Sequence, residues 1–320
     1  MEKKRISIKG VLQVFKDSFS RFGDDKIPKL SGSLAYSTVF SLAPLLVVII
    51  SLFGLFLGRE AIEGKIYLQL KNFFGADTSS QLQEIIKNVS ASGKSRVAAI
   101  FGGIILFIGA TAIFSEIQDS INTIWGIKPT PKKGWVAFLK NRFLSFSVIV
   151  GLGFLLLVSL VINSLIEGFN SKLQVLLPGI SIIIFYIINI MITIVVSTII
   201  FAFIFRVLPD ADIQWKDVIV GAIFTSLLFM LGKFAISFYI SKSNVGTTFG
   251  AAGSIIILLL WVYYSSIILY FGAEFTKSWA VKYGDPIKPS QYAVTTKLVE
   301  VDTGKATVQE NDKEIKEVKN

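Results

Sequence analysis

Six long apolar runs separated by short charged segments constrain this chain more than any other feature. They cover about 34–57, 97–114, 143–166, 175–205, 218–240 and 249–275. The hydrocarbon layer of a bilayer is about 30 Å thick and a helix rises about 1.5 Å per residue, so a span needs roughly 20 apolar residues. Every run meets or nears that length, and the fourth is long enough to tilt or protrude. Lipid offers a peptide group no partner, so each run is expected to be helical. The expected fold is therefore all-α, a polytopic membrane bundle of six transmembrane helices. A charged fraction of only 17% agrees, because soluble domains sit near about a quarter.

The connections carry the orientation. With the N-terminus inside, the inner segments hold 23 Lys and Arg residues and the outer ones 8, which puts both termini on the cytoplasmic side. The net charge of +10 is then positive-inside bias rather than a nucleic-acid surface. Three regions are expected: a cytoplasmic amphipathic segment at 1–30, the transmembrane domain at 31–285, and a polar, disordered cytoplasmic tail at 286–320. The outer connection at 58–96 holds apolar residues at helical spacing and is expected to form two short surface helices. No short apolar stretch with a cleavage site precedes the first run, so that run is expected to target the chain to the cytoplasmic membrane. Ahead of it, Val11, Leu12, Phe15, Phe19 and Phe22 recur every three or four residues with Lys16 and Arg21 between them. This is an amphipathic helix, either lying on the inner leaflet or packed under the bundle.

The chain has no Cys and no His, which excludes disulfides, thiolate or imidazole metal ligands and His-based nucleophilic triads. No P-loop or dinucleotide fingerprint is present. Asp210, Asp212 and Asp217 cluster near a helix start, where acids more often complement the helix dipole than hold a metal. An enzyme is not expected, nor a cofactor or a metal.

Polar groups at membrane depth are the better candidates, because their burial is unfavourable unless it serves a purpose. Lys233 lies inside the fifth run as a contact for an anionic substrate or headgroup, or as a snorkelling lysine paired with Glu167. Tyr36, Glu116, Arg206 and Glu274 fall at the cytoplasmic ends of four runs, where they form either an inward-facing vestibule or ordinary interface polarity. Arg206 is expected to reach Glu116 or Glu274. Pro44 removes a backbone hydrogen bond in the first run and should kink it, as a gate or simply to fit a curved bundle. Trp125, Trp135, Trp261 and Trp279 are placed in part as interfacial anchors.

Two of these segments carry a resemblance. The stretch Ser33 to Leu46, SLAYSTVFSLAPLL, resembles the first-helix signature of the YihY/BrkB membrane family, with Ser37 where that family usually has a second tyrosine. Phe249-Gly250, Leu258 to Ser265 (LLLWVYYS) and Phe271 to Thr276 (FGAEFT) resemble its last helix, with Phe249 in place of a tyrosine. Leu208-Pro209 and Ile124-Trp125-Gly126 also fit. The resemblance covers about 10–285. It implies similarity to proteins once labelled ribonuclease BN, and a link to serum resistance and envelope-lipid transport. The function expected is a multi-pass protein that transports or binds a lipid or amphiphilic anion, with membrane lipids as its partners and no nucleic acid. The alternatives are a non-transporting envelope scaffold and, remotely, a membrane-associated ribonuclease.

Overall fold

A computed structural model describes residues 6–41, 64, 67, 79, 80, 83, 84, 112–130, 180–242, 251–290 and 292–296. Within them the chain is helical apart from two small ribbons. The helices are α1 (Ile8–Asp24), α2 (27–41), α3 (112–125), α4 (Ile180–Val207), α5 (Trp215–Lys242) and α6 (Ala251–Tyr283). The strands are β1 (Ile127–Pro129), β2 (Ala211–Asp212), β3 (Lys288–Pro289) and β4 (Ala293–Thr295).

Among the described residues three helices are long and apolar enough to cross a bilayer: Ile187–Val207, Trp215–Ile236 and Ile255–Tyr283, with mean hydropathies of 2.7, 2.0 and 2.1. They correspond to the fourth, fifth and sixth apolar runs. The third run and most of the first and second lie outside the described residues, as do Pro44, Glu167 and Trp135. In the 58–96 connection, Gly64, Tyr67, Ser79, Ser80, Gln83 and Glu84 are helical.

α4 and α5 are apolar around their whole circumference. Each leaves a stripe exposed at nearly four-residue spacing: Ile187, Met191, Val195, Ile199 and Phe203 on α4, and Ile219, Ile223, Leu227, Leu231 and Phe234 on α5. In water such stripes would be unfavourable; in a bilayer they are the lipid face.

α5 and α6 run antiparallel and interlock through small residues. Thr225 fits over Gly272, and Thr276 fits over Gly221, so a Cβ on either glycine would collide with the facing threonine. Each threonine hydroxyl donates to the glycine carbonyl one turn back on its own helix, Thr225 to Gly221 and Thr276 to Gly272, both at 2.7 Å. The polar atoms are thereby satisfied within each helix while the backbones close up, the usual use of small residues four apart in lipid. Ser226 Oγ ties α5 to α4 by donating to the Ile194 carbonyl at 3.0 Å.

α1 settles between its two expected placements by packing lengthwise against α6. Ser7 caps it, its hydroxyl accepting from Gly10 N at 3.1 Å. Gly10 lies against Tyr283, Val14 packs with Phe275 and Trp279, and Phe15, Phe19 and Phe22 surround Phe271. Ile8 and Leu12 stay exposed, and Phe19 keeps much of its ring exposed at the edge of this contact. An elbow at Asp25 and Lys26, with Lys26 in the left-handed region at φ 53°, turns the chain into α2.

The main buried core gathers at the base of the bundle, where α2 starts, α3 and α4 end, and α5 starts. Trp125 is buried there, its Nε1 donating to the Ala273 carbonyl at 3.0 Å, while Trp279 is buried beside Val14 and Phe275 and Trp261 is buried farther along α6, rather than anchored at an interface. Among the described residues the exposed tryptophan is Trp215. Two strands lie within the segment expected to be a disordered tail from 286. β3 pairs with β2 in the register Asp212↔Lys288, and β4 pairs with β1 in the register Lys128↔Val294. These ribbons tie the chain as far as Thr296 to the turns that close the base, while 297–320 lies outside the described residues.

Candidate functional site

The base contains a layer of buried polar side chains, and Lys277 is its hub. Three residues after Glu274 on α6, its Nζ lies 3.0 Å from Glu274 Oε2, donates to the Ile124 carbonyl at 2.6 Å, and stands 3.6 Å from Asp25. One ammonium therefore caps the C-terminus of α3, neutralises a carboxylate on α6 and holds the α1–α2 elbow. Glu274 is fully buried, and Ser278 Oγ donates to its other oxygen at 3.1 Å. Arg21 of α1 approaches that same oxygen at 3.5 Å. A buried carboxylate with a cation and a hydroxyl in reach is a satisfied group, and removing one partner would strand the rest.

A second cluster locks the α4–α5 turn onto α3. The Gln118 and Asn122 side-chain amides donate to Asp210 Oδ2 at 3.1 and 2.8 Å, and Asn122 Oδ1 accepts from Asp210 N at 2.8 Å. Asp210 thus holds a loop in place. Asp217 sits in the first turn of α5, its carboxylate against Gly284 and accepting from Asp285 N at 3.3 Å. Among the described residues no three or more acids group as a metal site would need. Asp119 is held above the usual carboxylate range, first by partial burial and then by the charges of Glu116 and Asp210.

Above this layer lies an apolar chamber of about 240 Å³ between α2, α3, α4, α5 and α6. Leu34, Ile113, Phe201, Ile204, Phe229, Trp261 and Leu269 form most of its wall, with Thr38, Ser265 and Ser266 as its polar lining. Leu269 is five residues from Glu274, about 7.5 Å along the axis, so the ion-paired layer lies more than a turn below the chamber lining.

The candidates named from sequence fall into different places. Glu274 is at the centre of the layer. Glu116 is half-buried on α3 one turn before Ser120, which faces the buried Tyr270. Arg206 does not reach Glu116 or Glu274; it pairs with Asp212 at 2.7 Å, because the ribbon returns that acid to the end of α4 after only six residues. Lys233 is half-buried one turn beyond Phe229, on the far side of the chamber from Glu274, and does not line it. Tyr36 is 66% exposed and packs on Phe40 at 4.9 Å rather than facing the interior. Lys277 and Asp25 as parts of one layer escaped the sequence reading. The i, i+3 pair of Glu274 and Lys277 was the one visible signal for it.

The description "Virulence factor BrkB" is that of a family matching residues 18–293. A UPF0761 membrane protein of Ralstonia nicotianae is 26% identical over 79% of this chain, which spans only 55% of that relative's length. A UPF0761 membrane protein of Pseudoalteromonas translucida is 30% identical over 79% of the chain and 81% of its own length. One from Haemophilus influenzae is 25% identical over 80% and 91%. No solved structure matches. With the family match running from α1 through the second ribbon, the chain belongs to the BrkB/YihY family of membrane proteins.

Proposed function

We propose that this protein is a six-span protein of the cytoplasmic membrane, with both termini inside, that binds and moves a lipid or amphiphilic anion and is not an enzyme. The observation that carries this reading is the apolar chamber lying more than a turn above an ion-paired floor. An amphiphile needs an apolar slot for its chain and fixed polar groups near one end. The chamber volume lies just below the usual range for a whole small ligand, roughly 300–1,000 Å³, and so suits part of an acyl chain. With Arg21, Asp25, Glu274 and Lys277 tied together, the floor is shut in this conformation, and movement through it requires the α1–α2 elbow to swing away from α6.

The shut floor is also what an envelope scaffold that transports nothing would have, and this keeps that second reading alive. Reconstitution separates the two. Liposomes containing the purified protein and a fluorescent-tailed phospholipid should show leaflet exchange faster than protein-free liposomes. Ser265→Phe, which fills the chamber, should abolish the difference. Exchange at the protein-free rate, together with a reproducible crosslinked protein partner, would favour the scaffold.

A further inference from the structure

A separate feature lies outside the bundle at the same end. A groove of about 650 Å³ opens where α4 ends and α5 begins, and β2, β3 and the turn after α6 complete it. Its charged lining alternates in sign: Arg206, Lys216 and Lys288 against Asp212 and Asp285. Arg206 pairs with Asp212, and Lys216 with Asp285. These pairs are peripheral, Asp212 being 70% and Asp285 45% exposed.

The groove also adjoins the lipid face. The exposed stripe of α4 ends at Phe203 and that of α5 begins with Trp215, and these two rings meet edge to face at 6.2 Å. An exposed tryptophan at the end of an apolar stripe marks the headgroup level of a bilayer. Moving along the surface from Ile199 and Ile219 past Phe203 and Trp215, a lipid-facing strip therefore passes into a charged recess.

We propose that this groove binds the headgroup of a membrane phospholipid bearing both a phosphate and a primary ammonium, with the acyl chains lying on the α4–α5 stripe. The charge arrangement selects that chemistry. Three cations beside two carboxylates leave a net charge of only +1, and the carboxylates among them favour a headgroup that carries an ammonium as well as a phosphate. Arg206, Lys216 and Lys288 offer donors to the phosphate. Asp212, 70% exposed and paired through one oxygen, can accept from an ammonium with three N–H groups, whereas a quaternary ammonium has none to give it. The site rests on α4 and α5 crossing a bilayer, not on the chamber or on any transport activity.

The test is lipid retention by the intact protein. Full-length protein released from detergent into a mass spectrometer, after incubation with equimolar phosphatidylethanolamine, phosphatidylcholine and phosphatidylglycerol of matched chains, should retain the ethanolamine lipid about tenfold more than either of the others. Lys288→Gln should lower retention of all three. Asp212→Asn should erase the preference for ethanolamine over choline while leaving binding of the glycerol lipid intact or improved. Both residues are exposed strand positions, and unchanged thermal unfolding of each variant checks that the fold survives; if a variant does not fold, the wild-type preference alone decides. Equal retention of the three lipids, a preference for phosphatidylglycerol, or an ethanolamine preference that survives Asp212→Asn overturns the assignment. A failed lipid-exchange assay with this selectivity intact would count against the transport reading and leave the groove standing.

Discussion

α4 and α6 are both apolar enough to cross a bilayer, yet they occupy opposite positions in the bundle. α4 keeps its only described cation, Arg206, in its last turn and turns a regular stripe from Ile187 to Phe203 outward. α6 buries Glu274, Thr276 and Ser278 within two turns and carries α1, α3 and α5 on its sides. Hydropathy places a helix in the membrane, whereas small and polar residues decide which helix the others gather around. Lipid solvates an isoleucine as well as a protein core does, so the apolar residues of α4 have no reason to turn inward. The carboxylate of Glu274 has every reason to do so.

That contrast can be broken at α6 first. Lys277→Met removes the cation that Glu274, Asp25 and the α3 terminus share, and should destabilise the protein by about 3–5 kcal/mol. The double variant Glu274→Gln/Lys277→Met should recover much of the loss, and denaturant unfolding in detergent measures both. Gly272→Leu drives a side chain into Thr225 and should lower stability by about 1–3 kcal/mol or prevent assembly. Ser226→Ala loses one hydrogen bond between α5 and α4, worth about 0.6 kcal/mol in a membrane. Val195→Ala on the α4 stripe should stay within about 0.5 kcal/mol of wild type, because it exchanges one lipid contact for another.

The smallest effect is a pH dependence at Asp119. Its folded carboxyl holds a proton more tightly than the unfolded chain does, so its contribution to stability is full below the unfolded pKa and is lost as pH rises through the folded one. At neutral pH the charged form is mildly unfavourable. Asp119→Asn should therefore raise the melting temperature by about 1 °C at pH 7, the small size reflecting solvent screening, and the gain should vanish at acid pH.

The sequence made the three described spans legible because their physics is one-dimensional. A run such as Ile180 to Phe205 is apolar whichever way it faces, so no tertiary knowledge is needed to read it. Glu274 was also legible, since a carboxylate in an apolar run demands an explanation. Its partners were not, because Arg21 and Asp25 lie about 250 residues away in sequence and nothing local ties them to α6. Arg206 fails for the opposite reason: Asp212 is its sequence neighbour, but only the β2–β3 ribbon, built from two-residue strands, brings the two together. The Gly221/Thr276 and Gly272/Thr225 pairs show as a repeated Gly-x-x-x-Thr spacing that becomes meaningful once α5 and α6 are known to be antiparallel.

The bilayer as solvent for α4 and α5 is the claim on which the rest depends, and a chain with no cysteine lends itself to a direct test. Single substitutions Val195→Cys, Leu227→Cys and Lys216→Cys would each be probed with a membrane-impermeant maleimide in intact cells and in inside-out vesicles. The account predicts that cysteines at 195 and 227 stay unlabelled in both preparations, and that the one at 216 reacts only in the vesicles. Rapid labelling at 195 or 227 from water, or labelling at 216 from outside intact cells, would contradict it.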